Sequence, residues 1–196
     1  MSILKLDKID YSQVSVADPF KHDNLYLSNI TYNSNQLIIQ TPQLTVLSAN
    51  QDSIELKSTG DLVEFLKGYD SAVTDIISQN SEKWFSKELT KSKVSQIYKS
   101  TIVNHGDSVI FKMDDNVDIY TNNGKKMCLN DVKPNTTVIL LVHLSYIVFY
   151  KANCIPYFNT IQLKIKEKKE VLEFREVQEE DNSPAIKINL DEFEFN

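Results

Sequence analysis

Residues 136–151 read Thr-Thr-Val-Ile-Leu-Leu-Val-His-Leu-Ser-Tyr-Ile-Val-Phe-Tyr-Lys, the longest apolar, β-branched stretch in the chain. This composition predicts one long β-strand. Alternation separates Val138, Leu140, Val142, Leu144, Tyr146 and Val148 from Ile139, Leu141, His143, Ser145, Ile147, Phe149 and Lys151. The second set carries His143, Ser145 and Lys151, so it is expected to meet solvent or ligand. His143 and Ser145 also interrupt the run too early for a bilayer-spanning helix.

Working outward, Thr160 to Lys168 alternates cleanly, with Ile161, Leu163 and Ile165 against Gln162, Lys164, Lys166 and Lys168. Upstream, Val109, Phe111 and Met113 alternate with Ile110 and Lys112, and Val117 and Ile119 with Asp118 and Tyr120. Asn122-Asn123-Gly124 then predicts a turn before a short strand over Lys126 to Leu129. Further upstream the period changes. From the N-cap Asp61, Leu62, Phe65, Leu66, Tyr69, Val73, Ile76 and Ile77 recur at helical spacing as far as Asn80, and a second helical segment is expected between Glu82 and Ser100. Asn24 to Tyr32, Gln36 to Ser48 and Ser53 to Ser58 read as strands, with a turn at Asn33-Ser34-Asn35 and an edge position or bulge at Pro42. Strands, helices, then strands again predict a mostly β (α+β) domain over residues 1–174 with a helical insert at about 61–100. A small barrel fits that order, and a β-sandwich fits nearly as well.

Residues 175–196 form an acidic, aromatic-ended tail, closing on Asp191-Glu192-Phe193-Glu194-Phe195-Asn196. The net charge of −6 belongs to this end of the chain. Up to Lys166 there are 17 lysines against 17 acids, and from Glu167 onward 10 acids against 4 bases, so the body is neutral and a polyanionic partner is not excluded. Glu176 to Pro184 reads as disordered, with Ile186, Ile188 and Leu190 able to form a short docking strand. The N-terminus shows neither the apolar core nor the cleavage site of a signal peptide, so an intracellular protein is expected. Cys128 and Cys154 have no paired spacing, and reduced thiols are expected. Arg175 is the only arginine, so arginine readout of guanine is not open to the body.

Catalytic chemistry has little to stand on. His22, His105 and His143 lie far apart, no metal-ligand spacing or glycine-rich phosphate loop occurs, and Asp114-Asp115 reads as a solvated turn. Neither an enzyme nor a metal or other cofactor is expected. Binding has more support. Tyr146, Phe149, Tyr150, Lys151, Tyr157 and Phe158 cluster around one strand end, followed by Lys164 and Lys166, while Lys125 and Lys126 extend a hairpin tip. Cations to follow phosphates and rings to stack bases are what single-strand binding requires. For any single one of these aromatic residues, filling the core is the more common role.

Leu37-Ile38-Ile39-Gln40-Thr41-Pro42, the helical Asn80-Ser81-Glu82-Lys83-Trp84-Phe85 continuing to Gln96-Ile97-Tyr98, and the strand pair Leu140 to Phe149 with Ile161-Gln162-Leu163-Lys164 resemble one family. It is the single-stranded DNA-binding proteins of nucleo-cytoplasmic large DNA viruses, which are similar to the podophage type. Gln43-Leu44-Thr45 stands where that pattern has Pro-Phe-Gly, and Phe149 and Tyr157-Phe158 stand where it has tryptophans. The resemblance implies an OB-like β-barrel and sequence-tolerant binding of single-stranded DNA in viral replication or recombination, in a replication compartment of host cytoplasm or nucleus. On that reading Lys112, Lys125, Lys126, Lys151, Lys164 and Lys166 neutralise phosphates, and Phe149, Tyr150, Tyr157 and Phe158 stack bases. Asp191, Glu192, Phe193, Glu194 and Phe195 then contact viral replication proteins or compete for the groove. No membrane partner is expected, and a homo-oligomer is compatible with the same body. Two rival readings are a virion structural protein, such as a minor capsid or scaffold component, and a subunit of a replication or transcription complex that touches no DNA.

Overall fold

Thr137–Tyr150 is the strand around which the others assemble, as its composition predicts. A computed structural model describes residues 3–166, apart from the side chains of Asp114 and Asp115. The expected tail at 175–196, its Ile186 to Leu190 strand included, lies outside the described residues. In chain order the strands and helices are β1 (Ile3–Leu4), β2 (Val14–Val16), β3 (Phe20–His22), β4 (Leu25–Tyr32), β5 (Ile38–Gln40), β6 (Leu44–Ala49) and β7 (Ser53–Lys57). There follow α1 (Gly60–Phe85), α2 (Lys91–Ile97), β8 (Ile102–Val103), β9 (Ser108–Thr121), β10 (Thr137–Tyr150) and β11 (Asn153–Lys166).

Five strands close a ring. β6 pairs β7, β7 pairs β9, β9 pairs β11, β11 pairs β10, and β10 returns to β6 through Thr137↔Thr45 and Val138↔Leu44. All of these pairings are antiparallel except β9 with β11, which is parallel. Numbered along the chain, the ring runs 1-2-3-5-4 and back to 1. This is the partly open Greek-key barrel of an OB fold, with α1, α2 and β8 inserted between its second and third strands. A sandwich is excluded because the sheet closes on itself.

The free edge of β10 is covered by three short strands in succession: β4 at Tyr146 to Phe149, β5 at Leu141 to His143, and β6 at Thr137 and Val138. The jog between β5 and β6 falls at Pro42, which has no N–H to give the ladder. Thr41 compensates, donating its backbone N–H to the Leu140 carbonyl at 2.9 Å while its hydroxyl accepts from the Leu140 N–H at 3.0 Å. The turn at Asn33–Asn35 forms as expected, but its flanking strands meet only at the Tyr32–Asn35 bridge before diverging along β10.

α1 buries Leu62, Phe65, Leu66, Tyr69, Val73 and Ile77 against the barrel. The ring of Tyr69 meets Phe158 edge-on at 5.2 Å, and Phe158 in turn lies beside Phe111, so the helix completes the barrel core. Gly68 lets the Tyr11 ring lie against the helix, because a Cβ there would come within 2.6 Å of that ring, and the Tyr11 hydroxyl donates to the Phe65 carbonyl. Where two helical segments were expected to part near residue 81, α1 runs on to Phe85 and stops at Ser86, which adopts φ 53°. Asp18 holds this end, accepting from the Lys83 ammonium and the Trp84 indole N–H. The expected strand over Lys126 to Leu129 is reduced to a Tyr120–Lys126 bridge and a short 3-10 turn at Leu129–Asp131.

Candidate nucleic-acid interface

Alternation along β9, β10 and β11 decides which side chains leave the barrel, and two bulges reset it. β11 carries Ile161 as an extra residue and β10 carries Ser145. Before Ser145 the interior takes Val138, Leu140, Val142 and Leu144, as alternation predicts; after it the interior takes Ile147 and Phe149, and Val148 faces out. The extra residue in one strand moves every later side chain to the opposite face.

This corrects two of the expected stacking residues. Phe149 is 8% exposed and packs edge-on against Trp84 and Phe85 at the end of α1, and Phe158 is 1% exposed in the barrel core. Neither ring can meet a base while the core is intact. Trp84 is itself half-buried.

The outer face reads as rows across the strands. Phe20, Leu27, Val148 and Ile155 form the first row, on β3, β4, β10 and β11. Next come Asn29, Tyr146 and Tyr157, then His143, Asn159 and Lys112. Beyond the Ile161 bulge lie Leu141, Gln162 and Asp118, then Ile139, Lys164 and Tyr120, and finally Thr137 with Lys166. Tyr146 and Tyr157 stack, with centroids 4.6 Å apart and an interplanar angle of 12°, so a base can extend the stack. Lys112 and Lys164 are exposed between buried neighbours, and Lys166 is half-buried. From Ile155 to Lys166 the face spans about 36 Å, the length of about ten stacked nucleotides.

The remaining expected residues bracket this face. Tyr150 is 40% exposed at the β10–β11 hairpin, with the Lys151 ammonium 5.0 Å from its ring centroid. Lys125 and Lys126, both exposed, flank the other end of the face, where Lys126 bridges Tyr120 in the row of Ile139 and Lys164. Lys126 is paired with Asp118 at 3.2 Å, and that hydrogen bond and charge hold its ammonium above the ordinary pKa. His143 is half-buried, and burial lowers its pKa, so it adds little positive charge near neutral pH.

Tyr146 and Tyr120 also lie on this face, and sequence reasoning left both out of the site. Tyr146 belonged to the aromatic cluster, but unbroken alternation put it on the inner face. Among the described residues, no group of three or more His, Cys, Asp or Glu side chains is placed to hold a metal ion, and no helix is long and apolar enough to cross a membrane. Cys154 is buried, which pushes its thiol up to about 11.

No curated protein matches the chain. Similar solved structures include the single-stranded DNA-binding protein from bacteriophage Enc34, at 10% identity over 84% of this chain and 95% of that one, TM-score 0.43. The same phage protein in complex with single-stranded DNA is similar at 10% identity over 80% and 97%, TM-score 0.40. gp2.5, a single-stranded DNA-binding protein encoded by bacteriophage T7, is similar at 11% identity over 78% and 100%, TM-score 0.45. The model of a family of unknown function, DUF5871, matches residues 42–178, a span that takes in all five ring strands and both helices. By that match, the chain belongs to the DUF5871 family.

Proposed function

We propose that this protein binds single-stranded DNA with little regard to sequence, in viral DNA replication or recombination, and is not an enzyme. The observation that carries the reading is the outer face of the barrel, where the Tyr146–Tyr157 stack shares one surface with Lys112, Lys164 and Lys166. Rings supply sequence-tolerant stacking and lysines follow the backbone. Tyr150 and Lys151 extend the face at one end, and Lys125 and Lys126 at the other. The Asp191 to Phe195 tail acts as a displaceable competitor for this face or as a hook for replication proteins. A labelled oligo-thymidine titrated with the full chain tests the proposal: saturable binding that weakens with salt is expected. No binding at low ionic strength, where attraction is greatest, would sink it.

One observation favours a second reading. The row of Phe20, Leu27, Val148 and Ile155 is apolar across four strands, and Phe20 is 46% exposed, which suits contact with another protein. Light scattering that shows a concentration-dependent mass, reduced by Phe20→Ser, would support that contact; a constant monomer mass would dismiss self-association.

A further inference from the structure

At the barrel end away from α1, the β6–β7 turn faces the segment between β9 and β10. Two cavities of about 600 and 570 Å³ lie there, and because both are walled by Gln51, Leu129 and Asn130 they form one trough. Each falls within the size range of small-molecule sites. The trough opens because β9 bows away from β11: pairing passes from Met113↔Thr160 directly to Asp118↔Gln162, so residues 114–117 stand opposite Ile161 alone. Such a bulge re-aims side chains, and Asn116 comes to line the trough.

Three carboxamides, Gln51, Asn116 and Asn130, line it; all are exposed, and none makes a side-chain hydrogen bond to a described residue. Asn50 next to them differs, since its side-chain oxygen accepts from the Asp52 and Ser53 N–H groups at 2.9 Å. Met127 and Leu129, both half-buried, add apolar wall. Lys126 reaches from the trough to Asp118 on the outer face, so the two surfaces are continuous.

A carboxamide presents a donor and an acceptor side by side. Phosphate, which only accepts, uses just the donor half of that pattern, whereas a nucleobase edge matches both halves, and adenine matches them in the familiar two-bond pairing with Asn or Gln. The geometry points to a base-reading trough: as a single strand leaves the outer face past Lys126, its next bases unstack into the trough, and adenine is preferred there. This rests on the single-strand binding proposed above and adds a sequence preference to it.

The test compares an oligo-thymidine of about twelve nucleotides, within the range one OB-type barrel covers, with the same oligomer carrying two central adenines. The full chain is expected to bind the adenine-containing strand about ten-fold more tightly, within the discrimination of one two-bond pair. The Gln51→Ala/Asn116→Ala/Asn130→Ala variant is expected to bind both strands alike and to keep the salt dependence. Equal affinities in the natural protein, or a preference that survives in the triple variant, overturn the inference while leaving single-strand binding in place. Failure to bind either strand overturns both.

Discussion

The most direct test of the outer face is its salt dependence, because the structure sets the size of the effect. Lys112, Lys125, Lys151, Lys164 and Lys166 make no ion pair with any described residue, whereas Lys126 is already paired with Asp118. Each single-strand phosphate neutralised contributes about −0.7 to the slope of log affinity against log salt. Five such lysines therefore give a slope of about −3.5, and a four-fold rise in salt weakens binding about 130-fold. Lys112→Ala should reduce the slope by about 0.7 and weaken all sequences alike. Tyr157→Ala, which removes one half of the stack, should leave the slope unchanged and cost about 1–3 kcal/mol at every salt concentration. Fluorescence anisotropy of a labelled oligo-thymidine over a salt series reads both quantities. A slope near zero, or one that Lys112→Ala leaves unaltered, would refute the assignment of these lysines. A Tyr157→Ala variant that binds like the natural protein would refute the platform.

Phe158→Ala should destabilise the fold by about 3–5 kcal/mol, since it empties the space between Tyr69 and Phe111, and a urea melt would show it. A loss below about 1 kcal/mol would contradict its place in the core. Asp70 is mostly buried between α1 and the segment after α2, where it accepts from the Tyr98 hydroxyl at 2.8 Å and the Ser100 hydroxyl at 2.6 Å. Burial raises its pKa above 3.8, with the two hydroxyls partly opposing that shift. The native state therefore holds this proton more tightly than the unfolded chain, so its contribution is full below 3.8 and is lost as pH climbs through the raised folded value. Asp70→Asn should flatten stability against pH across that window in urea midpoints, and an unchanged profile would count against the assignment. Truncation after Phe174 should raise affinity for oligo-thymidine if the tail competes for the outer face; unchanged affinity would leave it only the role of partner hook.

What the sequence discloses and what it withholds differ by mechanism. Local signals carried well: the 3.6 period from Leu62 to Ile77, the turn at Asn122-Asn123-Gly124, and the interruption at Pro42 each depend on residues within a few positions of one another. Ring closure depends on pairing across long separations, such as Thr45 with Thr137 and Asn159 with Lys112, which no local pattern encodes. The site was lost and found at one residue. Ser145 is a bulge in the β10–β11 ladder at the point where pairing with β4 begins, and neither partner strand is visible in the alternation of β10 alone. That single insertion buries Phe149 and brings Tyr146 out beside Tyr157, so half of the proposed stacking platform is a residue that unbroken alternation puts on the inner face. The lysines were not exposed to this error. Lys112 and Lys164 each sit between two apolar residues, and their outward placement follows from alternation over those three residues. A tyrosine is at home on either side of a sheet, whereas an unpaired lysine is not, so charged positions transfer from sequence to surface more faithfully than aromatic ones. Outward placement of the lysines was therefore readable before the fold was known, and that of the aromatic residues only after the strand register had been fixed.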